Sequence, residues 1–246
     1  MPSVASLALR VLLTFGCLGA ALPGQNVLGP SQGISVDVSK IADQIKDELK
    51  KAEIIPTVID DFEPSLLLFA NWSTTQHAAL GNTIKPKKLQ DAPTIALHDP
   101  SASSSSLLCR SGMTYTITLT DPDAPSRDDP KWSEMCHWIA TGVSASPAGE
   151  GAACSTATLA LAELDEIMPY KAPGPPEKTG KHRYVFLAFA PQNGTTEKLH
   201  LSKPSDRQHW GYEPDDGETS GVRDWAKENG LVPVAANFIY SKHKKQ

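Results

Sequence analysis

The feature of this sequence that most constrains its fold is a series of short apolar or alternating runs separated by turn-forming residues. The runs that have the length and composition of β-strands, punctuated by Pro, Gly, Asn or Asp, are Leu66–Phe69, Thr94–Leu97, Thr114–Thr120, Trp138–Val143 and Tyr184–Ala190. In the third run, Tyr115, Ile117 and Leu119 alternate with threonines, as in a strand with one buried face. Long helical stretches do not alternate with these runs, which argues against a doubly wound α/β sheet. The pattern predicts a mostly β fold, an antiparallel β-sandwich with peripheral helices.

Two segments have helical periodicity. In the first, apolar residues recur at helical spacing from about Lys40 to Ala52, and Ser39 is placed to cap the amino end. Its polar face mixes positive and negative charges, which favours packing on the domain over binding to a membrane surface. The second segment, Gly221–Asn229, is followed by Gly230, a residue type that commonly ends helices.

The amino-terminal residues differ in composition from the rest of the chain. Arg10 precedes the apolar stretch Val11–Leu22, which is too short to cross a hydrocarbon layer of about 30 Å. This pattern predicts a removable signal peptide over residues 1–24, and a short amino-terminal anchor is the alternative. Residues 25–33 are predicted to be a flexible lead-in and residues 34–246 a single domain. The mature protein is therefore expected to be secreted, with the vacuole as the alternative destination.

Charge and composition exclude several classes of partner. The formal net charge is −5 at pH 7, and hydrophobic residues make up 40% of the chain against 21% charged residues, the balance of a globular protein. An acidic chain without a sustained basic stripe is not expected to bind nucleic acid. No other apolar run approaches transmembrane length either, so membrane contact is expected to be peripheral at most.

The predicted signal peptide determines which cysteines remain in the mature chain. Cys17 lies in the predicted signal peptide, so Cys109, Cys136 and Cys154 remain in the mature chain. An oxidising compartment permits one disulfide among them. Cys109 precedes one predicted strand and Cys154 follows another, which favours that pair, although the other pairings stay open. A Cys-x-x-Cys pair is missing, so a structural zinc site is not expected.

Two triplets match the acceptor pattern for asparagine-linked glycans. They begin at Asn71 and Asn193. The second lies in Pro191–Gly194, which is predicted to form a β-hairpin turn. A signal peptide would make both asparagines available for glycosylation.

The segment Asp121–Arg127 combines acidic residues with proline at the end of a predicted strand. Pro122 and Pro125 each fix φ at about −65° and each lacks an amide donor, so the loop has few conformations. Such a loop can hold Asp121 and Asp123 in fixed directions. The alternative is that the two aspartates only cap turns.

His137 begins the next predicted strand. A carboxylate beside this imidazole would fix its tautomer and leave the other ring nitrogen to donate to an oxyanion. The alternative is a half-buried histidine bonded to a backbone carbonyl.

A stiff segment with two prolines precedes another histidine. In Gly180–Tyr184, His182 and Tyr184 are two residues apart and share one face of the strand, whereas Arg183 faces the other side. An imidazole and a phenol beside the prolyl wall of Gly174–Pro176 suit a phosphate or carboxylate group.

These motifs resemble the two signatures of the phosphatidylethanolamine-binding protein family. The first resemblance covers Thr120–Pro130 and continues through Glu134 and His137, and the second covers Gly174–Tyr184. Further segments similar to secreted and vacuolar fungal members are Ile54–Phe62, Leu80–Thr83 and Gly230–Phe238. The resemblance extends over nearly all of the mature chain.

The resemblance implies a pocket for an anionic head group. It places ligand binding on Asp121, Pro125, His137, Pro175, Pro176, His182 and Tyr184. Supporting roles fall on Asp123, Glu134 and Gly174. It also implies cis peptide bonds before Pro125 and between Ser133 and Glu134. The imidazoles would donate hydrogen bonds to a phosphate-type group such as phosphoethanolamine, and Tyr184 would close one side. Asp121 would orient an imidazole or meet the ammonium group of the ligand.

The sequence departs from the family pattern at one place. The family often has an aromatic residue followed by two histidines, where this chain has Met135, Cys136 and His137. Met135 leaves the rim of the pocket apolar but with less stacking surface. Cys136 is expected to point away from His137 by strand alternation, so the departure affects ligand preference more than the pocket itself.

Catalytic and metal-binding alternatives are less favoured. The one match to a nucleophile-elbow pattern, Gly29–Gly33, lies in the lead-in with no strand before it. Asp121, His137 and His182 could in principle hold a metal ion. Rigid donors without a specialised nucleophile suit reversible oxyanion binding better, and the chain lacks a glycine-rich phosphate loop. The sequence therefore predicts a non-enzymatic binding protein without a cofactor or metal.

The resemblance also implies an alternative function in which the binding partner is another protein. Some members of the family inhibit serine carboxypeptidases, and others act in signalling or are recognised as allergens. Such inhibition depends largely on an amino-terminal segment outside the pocket, and signal cleavage would give this chain a different amino terminus. Inhibition of a serine carboxypeptidase is therefore the second prediction, after head-group binding.

Overall fold

The computed structural model describes residues 38–101, 108, 113–144, 156–159, 164–210 and 221–245, without the side chains of residues 143–144 and 156–159. These residues belong to one compact unit, Val36–Gln246. The predicted signal peptide, the lead-in, Cys109 and Cys154 lie outside the described residues. Export and the disulfide pairing therefore stay predictions.

The described residues form two α-helices and ten β-strands. The helices are α1 (Val38–Lys51) and α2 (Gly221–Glu228). The strands are β1 (Leu67–Ser73), β2 (Gln76–His77), β3 (Asn82–Thr83), β4 (Thr94–His98), β5 (Thr114–Asp121), β6 (Met135–Ser144), β7 (Thr156–Leu159), β8 (Asp165–Met168), β9 (Lys181–Pro191) and β10 (Leu231–Lys242). Both predicted helices and all five predicted strands are present.

The strands form two sheets. One is four-stranded in the order β2-β1-β4-β7, and the other is six-stranded in the order β3-β10-β9-β5-β6-β8. Neighbouring strands are antiparallel except for β3, which pairs with β10 in parallel. The predicted antiparallel sandwich is confirmed, with this one parallel pair at the edge of the larger sheet.

The six-stranded sheet is the middle layer of the fold. One face packs against the four-stranded sheet through a core that includes Leu68, Ile117 and Phe186. The opposite face packs against the two helices through a core that includes Leu49 and Trp225. A strand in such a layer is buried on both faces and has a nearly continuous apolar sequence, as the Val185–Phe189 run of β9 does.

The longest strand of the larger sheet, β10, is absent from the sequence predictions. Its sequence contains Pro233 and three weak strand formers, Ala235, Ala236 and Asn237. The proline is tolerated because the pairing with β9 shifts register between Pro233 and Ala235, and bulges accept proline. None of the helices in the described part of the chain is long and apolar enough to cross a membrane.

Candidate functional site

A cavity of about 240 Å³ lies where β5, β6 and β9 run side by side. Its lining comes from stretches that are distant in sequence. The lining residues are Asp121, Ala124, Pro125, Trp132, Met135, His137, Lys171, Ala172, Gly174, Pro175, Pro176, His182 and Tyr184. All seven residues predicted to bind ligand are among them, and so is Gly174. The other two predicted supporting residues, Asp123 and Glu134, are outside this lining.

Strand pairing explains why these groups meet. β5 lies between β6 and β9 and is antiparallel to both, so its last residues adjoin the first residues of both neighbours. Asp121 ends β5, whereas His137 and His182 lie near the starts of β6 and β9. One carboxylate is therefore placed between two imidazoles. The peptide bonds before Pro125 and before Glu134 are cis, as the family resemblance implies.

A β-bulge directs His137 into the cavity. Leu119 pairs with Trp138 and Thr120 pairs with Cys136, so His137 is an extra residue on β6. Bulges of this kind re-aim side chains beside functional sites. Cys136 packs in the core under the helices, away from the cavity, as predicted. Burial raises the pKa of its thiol to about 12, and the cysteine is free.

Asp121 and His182 form a buried pair at the cavity. The Nδ1 atom of His182 lies 2.9 Å from Oδ2 of Asp121, and both side chains are at most 3% exposed. The other carboxylate oxygen accepts the backbone N–H of Asp123 at 2.8 Å. The Nε2 atom of His182 lies 2.9 Å from the hydroxyl of Thr179, which also lies 2.9 Å from the carbonyl oxygen of Pro176. Both ring nitrogens of His182 are therefore engaged within the protein.

Tyr184 closes the inner side of the cavity. Its ring stacks on that of His182 at 6.3 Å and meets that of His137 edge-on at 5.2 Å between centroids. Burial raises the pKa of the phenol well above its usual value, and the charge of Asp121 and a hydrogen bond to that carboxylate raise it further. The phenol is therefore neutral beside Asp121.

His137 differs from His182 in its hydrogen bonds. Its Nδ1 atom lies 2.7 Å from the carbonyl oxygen of Lys171. Since a carbonyl can only accept, Nδ1 carries the hydrogen. The Nε2 atom is buried and has no hydrogen-bond partner. Burial lowers the pKa of the ring, with Asp121 acting in the opposite direction. In the neutral ring Nε2 is an acceptor, whereas in the protonated ring it is the donor that the sequence analysis expects.

Asp123 faces the opposite side of the sheet and holds Arg183. Its two carboxylate oxygens accept hydrogen bonds from Nε and Nη2 of Arg183, the shortest at 2.6 Å, and one also accepts the backbone N–H of Arg183 at 2.7 Å. The remaining guanidinium nitrogen, Nη1, donates to the carbonyl oxygens of Ala52 and Glu53 at 2.9 and 2.8 Å. These carbonyls follow α1, so the pair fastens the cavity loop to that helix.

Glu134 supports the site from behind. Its Oε2 accepts the Thr120 hydroxyl at 2.7 Å, and Thr120 in turn accepts the Trp210 indole N–H at 3.2 Å. Burial raises the pKa of Glu134 to about 8. The other oxygen, Oε1, lies against Gly221 at the start of α2, where φ is +49° and a Cβ would overlap the carboxyl group. The absence of a side chain at Gly221 is therefore required by both conformation and space.

The two predicted glycosylation sites differ in setting. Asn71 lies in β1 and is half-buried, whereas Asn193 is exposed. The turn at Asn193 follows β9 but does not connect it to a neighbouring strand, because β9 pairs with β10, which begins only at Leu231. The prediction of a β-hairpin turn there is wrong, since a long connection containing α2 separates the two paired strands.

Some residues of the site were not singled out from the sequence. Thr179 contacts His182 although no motif argument assigned it a role, and its position inside the Gly174–Tyr184 signature was the available signal. Lys171 acts through its backbone carbonyl, which leaves no mark in a sequence. Trp132 lines the cavity beside Met135. Within the described residues, no group of three or more His, Cys, Asp or Glu side chains is arranged to hold a metal ion.

Comparison with known proteins shows a matching family and a similar relative. A family model described as phosphatidylethanolamine-binding protein matches residues 74–239. The carboxypeptidase Y inhibitor of Saccharomyces cerevisiae is 32% identical over 211 residues, which cover 80% of this chain and 94% of the inhibitor.

Solved structures show the same architecture. The carboxypeptidase Y inhibitor complexed with its cognate proteinase matches with a TM-score of 0.67 and 29% identity, over 87% of this chain and all of the inhibitor. A phosphatidylethanolamine-binding protein from Plasmodium vivax matches with a TM-score of 0.56 over 80% of this chain and 97% of its own, at 17% identity. The second similarity concerns the fold alone.

Proposed function

Because the chain belongs to the phosphatidylethanolamine-binding protein family, we propose that it is a non-enzymatic binding protein whose cavity takes a small phosphate or carboxylate group, such as a phospholipid head group. The observation that carries this proposal is the convergence of Asp121, His137, His182 and Tyr184 on one cavity. The relatives matched here are by name an inhibitor and a binding protein, which supports a role without catalysis.

The size of the cavity supports a head group as the bound portion. Pockets that enclose drug-sized ligands measure about 300–1,000 Å³, and this cavity measures about 240 Å³. It therefore has room for a phosphate with a short substituent but not for acyl chains, which would stay outside.

The test is calorimetric titration of methyl phosphate into the protein and its His182→Ala variant. The variant is expected to bind about tenfold more weakly, because the buried carboxylate of Asp121 is left without its imidazole partner and disfavours an anion beside it. His77→Ala, which removes an exposed histidine of β2, is the matched control and should bind as the parent does. An unchanged affinity in a folded His182→Ala protein would count against the proposed pocket.

A second function is supported more strongly by the comparisons than head-group binding is. The extensive similarity to the carboxypeptidase Y inhibitor, in sequence and in fold, supports inhibition of a serine carboxypeptidase. That role would use protein contacts outside the cavity. We propose that the mature, exported chain performs it with its amino-terminal segment, which lies outside the described residues.

Inhibition and pocket binding can be separated in one experiment. The mature protein and its His182→Ala variant are assayed against a serine carboxypeptidase, and a second form without residues 25–37 is compared. Nanomolar inhibition that survives the histidine change and is lost with the segment supports the second function. Absence of inhibition by the intact mature protein rejects it.

A further inference from the structure

The outer face of the four-stranded sheet has an exposed aromatic ring beside a predicted glycan acceptor. Among the described residues, Phe69 is the one large apolar side chain that is exposed, with 39% of its surface accessible. Side chains alternate along a strand, so Phe69 and Asn71 of β1 share this face, about 7 Å apart along the strand. Leu68 and Ala70 point to the core instead. A single exposed phenylalanine is common on protein surfaces, so its meaning depends on its neighbours.

The residues opposite Phe69 and Asn71 leave the ring uncovered. Phe69 pairs with Ala96 of β4, and Asn71 pairs with Thr94 of β4 and with His77 of β2. Ala96 has a one-carbon side chain, and Thr94 and His77 are exposed. The ring therefore has no large neighbour directly opposite on β4, and a group attached to Asn71 can lie over it.

The middle residue of the acceptor triplet is held in the core, away from this face. β1 has an irregular register between Asn71 and Ser73, just before the turn at residues 74–75. The Trp72 ring packs edge-on against that of Phe186 at 5.8 Å between centroids, and its indole N–H donates to the carbonyl oxygen of Asp91 at 3.0 Å. These contacts fix β1 from the inside, so Asn71 stays on the outer face.

A sugar ring is suited to the space above Phe69. It has hydroxyl groups around its edge and C–H groups on its faces. The face of an aromatic ring is negative and attracts such C–H groups. The first N-acetylglucosamine of a glycan is joined to the asparagine side chain, so it can span the strand spacing of about 7 Å between the two residues. Stacking also removes apolar surface of Phe69 from water.

We propose that a glycan on Asn71 packs its first sugar against the Phe69 ring and forms part of the folded surface of the exported protein. The inference depends on the predicted signal peptide and is independent of what the cavity binds. Asn193 provides the contrast within the same chain. It lies in an exposed turn, and Pro191 is the residue two positions before it, where Asn71 has Phe69. A glycan on Asn193 should therefore extend into solvent.

The first test measures how accessible each glycan is in the native protein. The full-length chain is exported from a yeast host, and glycopeptide mass spectrometry should find a glycan on Asn71. Peptide N-glycosidase cleaves the bond between asparagine and the first sugar. Phe69→Ala should accelerate this release at Asn71 by about tenfold and leave release at Asn193 unchanged. Phe69→Tyr keeps the aromatic face and should behave as the parent does.

Two results of this test overturn the inference. One is a chain that leaves the host without a glycan on Asn71 or is not exported at all. The other is release at Asn71 that is equally fast in the parent and in Phe69→Ala.

A thermodynamic cycle tests whether the sugar contributes to the stability of the fold. Phe69→Ala is made in the glycosylated protein and in the Asn71→Gln variant, which has no acceptor. Urea unfolding should show that the change raises the unfolding equilibrium constant about threefold to tenfold more with the glycan than without it. Without the glycan the effect should be small, because the ring is exposed. Equal effects in the two backgrounds would mean that the sugar does not contact Phe69 and would also overturn the inference.

Discussion

Asp121 and Asp123 are two residues apart in one short motif, yet they serve opposite faces of the same sheet. Asp121 pairs with His182 at the cavity, where the partner is a weak base and open space adjoins it. Asp123 pairs with Arg183 beneath α1, where the partner is permanently charged and every guanidinium nitrogen has an acceptor. The alternation of β9 produces this division, since His182 and Arg183 are consecutive residues.

The difference distinguishes a polar cluster that stabilises the fold from one that can still bind a ligand. In the Asp123–Arg183 cluster every guanidinium nitrogen donates to an acceptor within the protein, so the cluster fixes the loop to the helix. The cavity side keeps one unsatisfied nitrogen, on His137. This nitrogen belongs to a residue that lines the cavity, so a bound ligand could satisfy it.

The largest expected effect is that of Asp123→Ala. It leaves the Arg183 guanidinium buried without its counter-charge, so the free energy of unfolding should fall by about 3–5 kcal/mol. Urea unfolding measures it. Asp128→Ala, at an exposed aspartate of the same loop, is the control and should change stability by less than about 0.5 kcal/mol. Similar losses in both variants would mean that the buried pair has no special role.

Asp121→Asn should have a smaller effect on stability and a larger one on binding. Asparagine keeps one acceptor oxygen, so we expect the free energy of unfolding to fall by about 1–3 kcal/mol. Methyl phosphate affinity should fall about tenfold, because His182 loses the carboxylate that orients it. The comparison between the two aspartates fails if this variant is destabilised as strongly as Asp123→Ala.

Glu134 is a third buried acid to compare with the two aspartates, and it has no basic hydrogen-bond partner. The folded protein keeps its proton up to a pKa of about 8, whereas the unfolded chain releases it near 4.5. The unfolded state binds fewer protons in that interval, so stability should fall as pH rises from about 4.5 to 8, by at most about 1.4 kcal/mol per unit. Glu134→Gln should remove this slope, whereas the exposed control Glu197→Gln should retain it. Parallel pH profiles for all three proteins would rule the assignment out.

The smallest effect is expected at the surface pair of Arg127 and Glu53. These side chains lie 2.7 Å apart but are 40% and 70% exposed. Glu53→Gln should change the free energy of unfolding by about 0–1 kcal/mol, and added salt should reduce even that difference. The backbone carbonyl of Glu53 that Arg183 uses is unaffected. A loss near that of Asp123→Ala would show that charge alone, without burial, fastens the loop to the helix.

Much of the fold could be predicted because its strands are apolar runs between turn residues. β5 has an alternating sequence and β9 a continuous apolar one. The prediction that β5 has one buried face is wrong, because Thr116, Thr118 and Thr120 are buried as well. β10 was not predicted because its strand-forming residues are interrupted by Pro233 and by small or polar residues. Its place in the sheet is determined by pairing with β9. Long-range pairing of this kind overrides local propensity.

The candidate site was predictable only in part. All seven residues predicted to bind ligand line the cavity, because proline-stiffened loops and strand alternation are visible in sequence. Trp132, Lys171 and Ala172 line it too and were not predicted. The bulge at His137 and the carbonyl of Lys171 are backbone features, which a sequence does not reveal. The bulge orients the His137 ring and the carbonyl holds a hydrogen on its Nδ1, so this hydrogen bond could be found only from the structure.

Gly221 has no side chain, and the space this leaves is filled by the carboxyl group of Glu134. Glu134 rests against that glycine and begins the segment that leads into β6 and His137. A methyl group at position 221 would overlap the carboxyl group, so Glu134 would have to move. A change of one carbon outside the cavity lining would therefore disturb the acid that supports the cavity from behind.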